Sequence, residues 1–239
     1  MSIALANQLR EGTKKAHTMA ENTGFVSCFL KGVVDKSSYR SLLADLYFVY
    51  TAMEEEIGKW SEDRHPVVSS VAFPELTRRE SLEKDLLFYF GVNWLQELEP
   101  TCAAKAYVTR IKKVSKECPE LLIGHHYTRY LGDLSGGQIL KKIAQKAMNL
   151  GDHDGLRFYE FECIEDEKEF KNRYAQTLNS LPIDQSMADK IVDEANNAFK
   201  FNMDIFKELE GNLIATIGKL LFNFLTSRRR RGSTESTTS

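Results

Sequence analysis

The sequence contains few cysteines and no paired cysteine motif. Its 239 residues include only four cysteines. None of them forms the C-x-x-C pair that is typical of zinc sites and thioredoxin-type redox centres. Since the thiols are scattered and no secretory signal is present, we expect them to be reduced and partly buried, as in a cytosolic protein. The four residues are Cys28, Cys102, Cys118 and Cys163.

Long apolar segments are also missing. The first ten residues lack the apolar core of a secretory signal. The most apolar late segment, residues 213–225, is interrupted by Lys219 and Asn223 and is too short to span a bilayer. We therefore expect a soluble, cytoplasmic protein without a membrane anchor, in which this segment is an amphipathic helix packed on the core.

Neither sign of charge is in large excess. The formal net charge is −2, with 28% charged and 42% hydrophobic residues. This composition is ordinary for a soluble globular protein and gives no indication of general nucleic-acid binding. The length fits one large domain or two small ones, with enough residues to bury a core.

Alternating strand patterns are scarce, and helical spacing dominates. The apolar residues Leu42, Leu46, Val49 and Met53 repeat with the period of a helix. The best strand candidate, residues 67–73, is short and flanked by prolines, so a loop or a helical turn is an equal alternative. The sequence therefore predicts an all-α fold.

No linker or internal repeat divides the chain, which favours one domain over residues 1–226. Residues 227–239 differ because they contain four arginines, at 228–231, followed by small polar residues and no apolar one. Such a composition predicts a disordered tail. The arginines could contact anionic lipid or a partner, but a solvated tail is the favoured interpretation.

The most informative segment is residues 127–137, which has three glycines in six residues within a helical pattern. Each glycine weakens a helix by roughly 1 kcal/mol relative to alanine. A helix with that cost usually needs a close approach of its backbone to something, or a bend. Gly132 and Gly136 are four residues apart and share one face. That bare face could lie flat against a planar ligand, with Asp133 beside it as a buried or half-buried acid.

The first helix carries a polar stripe. Arg10, Lys14, His17 and Glu21 have the spacing of one helix face. A histidine in such a stripe can bind a metal with one ring nitrogen while the other nitrogen donates to Glu21, which fixes the tautomer. The alternative is a solvated face with ion pairs. The helix alone leaves both interpretations open.

Two other kinds of site are poorly supported. Residues 134–138 spell LSGGQ, the signature of ABC-type ATPases, but no G-x-x-x-x-G-K-[ST] phosphate loop accompanies it. His125 and His126 are adjacent, so their side chains diverge on a helix and cannot readily share a metal. We expect them to serve packing or to lie on the surface.

At these residues the sequence resembles the haem oxygenase family, in particular its soluble cyanobacterial form. The resemblance covers the chain from residue 5 to about residue 225 and is most specific at residues 12–17 and 127–142. Supporting blocks are residues 47–50 with 54–56, 73–76, 119–122 and 194–199.

The resemblance implies an all-α, single-domain fold that holds haem b between a proximal and a distal helix. His17 matches the proximal iron ligand and Glu21 its hydrogen-bonding partner. Gly132 and Gly136 match the distal glycines, and the neighbouring Gly137 is assigned to the haem-binding set with them.

The same resemblance assigns a distal acid and its surroundings. Asp133 matches the acid that holds a water network near bound dioxygen, with Tyr50, Tyr127 and Arg129 around it. The remaining matches are Arg10, Lys14 and Lys171 for the haem propionates, and Phe199 and Asn202 for the haem pocket.

One position departs from the family pattern. Many relatives have arginine one turn after the lysine that matches Lys171, and this chain has Ala175 there. Arg173 cannot replace that arginine, because a residue two positions along a helix points elsewhere. One propionate salt bridge of the family is therefore not expected here.

The resemblance further implies the reaction. Haem is both substrate and cofactor, and the expected products are biliverdin IXα, ferrous iron and carbon monoxide. Reduced ferredoxin is the implied electron donor and a bilin reductase of phycobilin synthesis the implied recipient. The alternatives are a haem carrier or sensor, a thiaminase II-like enzyme, which needs an activated cysteine, and a purely structural helical protein.

Overall fold

The computed structural model describes residues 3–231, with side chains up to residue 211. This part of the chain contains helices and no strand, which confirms the predicted all-α fold. The α-helices are α1 (Leu5–Glu21), α2 (Gly24–Leu30), α3 (Lys36–Glu62), α4 (Arg79–Phe90), α5 (Trp94–Glu97), α6 (Cys102–Glu117), α7 (Leu122–His126), α8 (Gly132–Met148), α9 (Glu167–Ser180) and α10 (Gln185–Arg231).

Shorter helical turns connect these helices. Residues 67–73 contain the 3₁₀ turn Val68–Val71, so the helical-turn alternative for this segment is correct. A π-helical turn, Tyr127–Leu131, joins α7 to α8 without a break in the chain of helical residues. Such wide turns within α-helices are frequent at functional sites. Three further 3₁₀ turns are present in the described chain. Pro74–Leu76 precedes α4, Pro119–Leu121 precedes α7 and Arg157–Tyr159 precedes α9.

Carboxylate side chains start several of the helices. Asp35 accepts a hydrogen bond from the backbone N–H of Ser38 at 2.9 Å at the start of α3. Asp184 does the same for Met187 at 2.8 Å at the start of α10. These bonds satisfy backbone donors that have no partner within the first helical turn.

Helix α10 is the centre of the packing. It contacts α1, α2, α3, α6 and α7, while α3 also packs against α4 and α6. The contact of α7 with α10 is close: a Cβ on Gly124 would lie only 2.7 Å from the backbone nitrogen of Ala195. This approach requires glycine at position 124. It brings the π turn and α8, which follow α7, alongside α1 and α10.

Both adjacent histidines are buried, so they serve packing. His126 Nδ1 lies 2.7 Å from the Tyr174 hydroxyl. His125 Nε2 lies 2.9 Å from the Glu194 carboxylate on α10. Arg110 of α6 donates two hydrogen bonds to the same carboxylate, at 2.8 and 2.5 Å. This buried cluster links α6, α7 and α10.

The fold should be sensitive to acid through Glu194. Burial favours a higher pKa, but the hydrogen bonds from Arg110 and His125 prevail and lower the pKa of Glu194 from 4.5 to about 2. A pKa lowered in the folded state contributes stability that is complete above pH ~4.5 and lost as the pH falls toward 2. We expect this loss to reach roughly 3 kcal/mol. Urea unfolding of wild type and Glu194→Gln at pH 6 and pH 2 measures it.

The glutamine variant should be destabilised at pH 6 and nearly equal to wild type at the acidic end. Glu117→Gln is the matched control, since Glu117 is exposed and lies 4.0 Å from Lys113 at its closest. An equal acid dependence in wild type and Glu194→Gln would contradict the assignment.

Two expectations about the surface need correction. All four cysteines are free, but Cys28, Cys102 and Cys163 are exposed, and only Cys118 is half-buried. Residues 227–231 continue α10 and so do not belong to a disordered tail. The rest of the predicted tail, residues 232–239, lies outside the described residues. Of the helices described, none is long and apolar enough to cross a membrane.

Candidate functional site

A large cavity lies between α1, the segment from the π turn into α8, and α10. Its volume is about 770 Å³, within the range of small-molecule and cofactor sites. Its walls come from parts of the chain more than a hundred residues apart. It is lined by Arg10, Glu11, Thr13, Lys14, His17, Thr18, Glu21, Tyr127, Thr128, Leu131, Gly132, Ser135, Gly136 and Phe199.

The predicted polar stripe of α1 forms one wall. The His17 side chain is 55% exposed, with Nδ1 3.7 Å from a Glu21 oxygen. Nε2 is therefore the ring nitrogen available to a ligand in the cavity. The Phe199 ring of α10 meets the imidazole edge to face, with centroids 5.9 Å apart. Arg10 and Lys14 place positive charge on the same wall.

The start of α8 forms the opposite wall. Gly132 and Gly136 both line the cavity, as their spacing predicts, and no atom lies within 4 Å of a Cβ built on either. Gly137 is different because it lies about 100° further round the helix. It is buried, and a Cβ there would be 3.1 Å from the Tyr159 ring. The structure therefore places Gly137 outside the site, in a packing contact.

Asp133 lies behind the glycine wall in a network of hydrogen bonds. Arg129 NH2 is 2.9 Å from Asp133 Oδ2, and Arg129 NH1 donates to Asn202 Oδ1 at 2.7 Å. The Tyr50 hydroxyl donates to the same carboxylate. The guanidinium of Arg129 also lies over the Tyr50 ring, 5.4 Å from its centroid. Four predicted site residues, distant in sequence, are thus brought together.

Burial sets the acidity of this network. It raises the pKa of Asp133, although the Arg129 charge acts in the opposite direction. Burial likewise raises the pKa of Tyr50. The pKa of Arg129 is raised despite its burial, because Asp133 and Tyr50 stabilise its charge. The arrangement is an acid with a raised proton affinity beside a permanent cation, which suits the holding and transfer of a proton.

The site thus contains eight of the predicted residues as cavity lining, with the Asp133 network next to it. Lys171 is not among the lining residues and pairs with Glu167. Sequence analysis missed several lining residues. Leu131 and Ser135 have the same four-residue spacing as the glycines, and Thr13 is one turn before His17, so helical spacing could have indicated all three.

A second cavity opens beside the first, between α1 and α9, with a volume of about 320 Å³. It shares Arg10, Tyr127 and Leu131 with the larger one. We call it the side cavity, and it is lined by Ala6, Asn7, Arg10, Tyr127, Leu131, Tyr174, Ala175, Leu178 and Asn179.

Comparisons with known proteins agree with this architecture. The haem oxygenase family model matches residues 3–208. Haem oxygenase 1 of Synechocystis is 63% identical over 98% of this chain and 97% of its own length. Haem oxygenase 1 of Nostoc is 61% identical over 98% of each chain. The crystal structure of the Synechocystis enzyme in complex with haem superimposes with a TM-score of 0.87, covering 93% of this chain and all of that one.

The fold and the site define an all-α protein with a ligand cavity between two helices. One is α1, which carries His17, and the other is α8, which carries Gly132 and Gly136. With the sequence matches over nearly its full length, the chain belongs to the haem oxygenase family. Its enzyme class is that of a haem oxygenase. The family resemblance predicted from residues 12–17 and 127–142 is confirmed.

Proposed function

We propose that the protein binds haem b in the 770 Å³ cavity and cleaves it at the α-meso carbon. The products would be biliverdin IXα, ferrous iron and carbon monoxide, with dioxygen as oxidant and reduced ferredoxin as electron donor. The observation that carries the proposal is that His17 and the bare backbone of Gly132 and Gly136 face one cavity. Bound haem would supply both the ring that is cleaved and the iron that activates dioxygen.

The residues present fit a haem. The cavity is open, with room for a flat ring between α1 and α8, since neither Gly132 nor Gly136 has an atom within 4 Å of a built Cβ. His17 offers an imidazole nitrogen, a usual protein ligand of haem iron. The Synechocystis relative of the same fold was crystallised in complex with haem.

On the proximal side, the residues of α1 would orient the substrate. His17 would bind iron through Nε2, while Glu21, now 3.7 Å from Nδ1, would move closer to accept from Nδ1–H and keep the ring in that tautomer. Arg10 and Lys14 would bind the acid side chains of haem as hydrogen-bond donors. Lys171 remains a proposed propionate contact and would have to exchange Glu167 for the substrate.

On the distal side, the residues would control access and protons. The backbone at Gly132 and Gly136 would approach one face of the ring and leave a single meso edge open to attack. Asp133 would hold a proton and pass it on through an ordered water, since its carboxylate lies behind the wall. Arg129 and Tyr50 fix the position of that carboxylate.

The glycine wall leads to a paired prediction. Gly136→Leu should leave folding intact, since its Cβ position is open and leucine favours a helix by about 1 kcal/mol over glycine. The same change should weaken haem binding, because the side chain would occupy the ring's place. Gly137→Leu is the matched variant. Its clash with Tyr159 should lower stability by roughly 1–3 kcal/mol. Haem binding to the folded protein should be unchanged, because Gly137 does not line the cavity.

Thermal melting of both apoproteins and haem titration measured by Soret absorbance check the pair. Haem affinity that is unchanged in Gly136→Leu would show that the wall does not touch the ring.

Electron delivery is proposed to use the basic rim of the cavity. Lys14 and Lys15 are exposed beside Arg10 on α1. Positive charge at the rim would attract an acidic donor such as ferredoxin and speed its association. A role in phycobilin synthesis, with a bilin reductase as the recipient of the product, is proposed because the relatives include cyanobacterial and red algal haem oxygenases.

The test is anaerobic titration with haem, followed by admission of air and reduced ferredoxin. We expect a one-to-one complex and then replacement of the haem spectrum by that of a bilin, with carbon monoxide released. Chromatography against standards identifies the isomer. A tight complex without bilin would favour a haem carrier or sensor, and no complex would reject the proposal.

A further inference from the structure

The side cavity holds more space than an unmodified acid side chain requires. It adjoins the proposed haem cavity at Arg10, Tyr127 and Leu131, which line both. Its volume of about 320 Å³ is far larger than a carboxylate group. A ligand that fills the main cavity up to these three residues would bring its edge next to this space.

The space exists because of what lies on α9. Ala175 lines the side cavity with only a methyl group. The nearby cations are held elsewhere: Arg173 donates to Glu75 at 2.5 Å and lies over the Phe170 ring, and Lys171 pairs with Glu167. No long side chain of α9 is therefore positioned to fill the cavity.

The polar groups of the side cavity are arranged as donors. Asn179 uses its carbonyl oxygen to accept from the backbone N–H of Ala6 at 3.0 Å. Asn7 uses its carbonyl oxygen to accept from Arg10 at 3.0 Å. This leaves the NH₂ groups of both amides, together with the Arg10 guanidinium, for a ligand. Such a set suits a carboxylate oxygen and equally the neutral carbonyl oxygen of an ester or amide.

Little of this recognition depends on charge. The Arg10 side chain is 73% exposed and shares its charge with Glu11. Exposed ion pairs contribute little because water screens them. Loss of the ligand's negative charge at this point should therefore weaken binding only slightly, while the methyl of Ala175 and the side chain of Leu178 offer an apolar wall to an added small group.

We propose that Ala175 makes the side cavity a receptor for an enlarged acid side chain of the tetrapyrrole, so that this enzyme accepts haem with one propionate esterified or amidated. The inference rests on the proposed function, since it takes haem as the ligand of the main cavity. It adds a substrate class, and Ala175 is the residue that determines it.

The probes are haem and its two monomethyl esters, titrated into the apoprotein and followed by Soret absorbance. We expect wild type to bind haem and at least one ester isomer with dissociation constants within about threefold. Ala175→Arg fills the cavity and should weaken binding of that isomer by about tenfold or more relative to haem, because a pocket discriminates one added carbon by at least that factor. Ala106→Arg, at an exposed position of α6, controls for the added charge and should bind all three ligands as wild type does.

Resonance Raman spectra provide a readout independent of affinity. The propionate bending mode of bound haem should shift in Asn7→Ala, which removes a proposed donor, and should not shift in Ala106→Arg. The inference is overturned if wild type rejects both esters as strongly as Ala175→Arg does, or if Ala175→Arg binds the ester as well as wild type. Failure of haem itself to form a complex that depends on His17 would instead reject the proposed function.

Discussion

His17→Ala should lose bilin formation by on the order of a thousandfold or more, equivalent to about 4 kcal/mol of the activation barrier. The reason is that His17 is the histidine that lines the cavity, and its Nδ1 lies toward Glu21, 3.7 Å from a carboxylate oxygen. Without it, the proposed iron ligand on the α1 side is missing. Haem could still enter, but the Soret and electron paramagnetic resonance spectra should lose the features of imidazole ligation.

Spectra of the haem complex and carbon monoxide release per haem, measured on the same samples, check this result. His153→Ala is a suitable control because His153 is 61% exposed and pairs with Glu160, away from the cavity lining. An unchanged Soret band and normal bilin yield in His17→Ala would reject the ligand assignment.

Asp133→Asn should leave haem binding intact and lower bilin yield by roughly a hundredfold, the lower range of what a positioned acid contributes. Asparagine retains the size of the side chain and can still accept from Arg129 and Tyr50. It cannot hold and release the proton that the raised pKa of Asp133 allows. Reducing equivalents should then be lost as hydrogen peroxide.

Haem affinity, bilin yield and peroxide release per electron consumed test this variant. Tyr50→Phe is the companion change: it removes one hydrogen bond to Asp133 and retains the acid, so its effect should be well below that of Asp133→Asn. Full bilin yield in Asp133→Asn would remove the carboxylate from proton delivery.

The wall made by α1 could be predicted from the sequence because one helix contains all of it. The spacing of Arg10, Lys14, His17 and Glu21 places them on one face whatever the rest of the chain does. Their use as a binding wall rather than a solvated face could not be predicted, since it depends on α8 and α10 lying opposite.

The distal side shows the limit of local patterns more clearly. The spacing of Gly132 and Gly136 predicts their shared face, but only the position of Tyr159 shows that Gly137 packs elsewhere. The contact of Tyr50 with Asp133 joins residues 83 positions apart. Such contacts follow from tertiary packing, and the family resemblance rather than periodicity indicated them.

The side cavity and the exposed cysteines could not be anticipated either. From the sequence, Ala175 indicated only that one salt bridge of the family is missing. The space beside its small side chain depends on the neighbouring residues of α1, which the local sequence does not specify. Likewise, the exposure of Cys28 depends on how α2 is turned toward the core.

The π turn at Tyr127–Leu131 gives the distal segment a reserve of length. A π turn holds one more residue than an α turn, and each residue of an α-helix advances the rotation by about 100°. Loss of one residue from the turn would be absorbed as it tightened to an α turn, and Gly132 and Gly136 would keep their place. Loss of one residue between the two glycines has no such compensation and would turn Gly136 about 100° away from Gly132. In natural variants of this chain, single deletions should therefore fall in the π turn and not between the glycines.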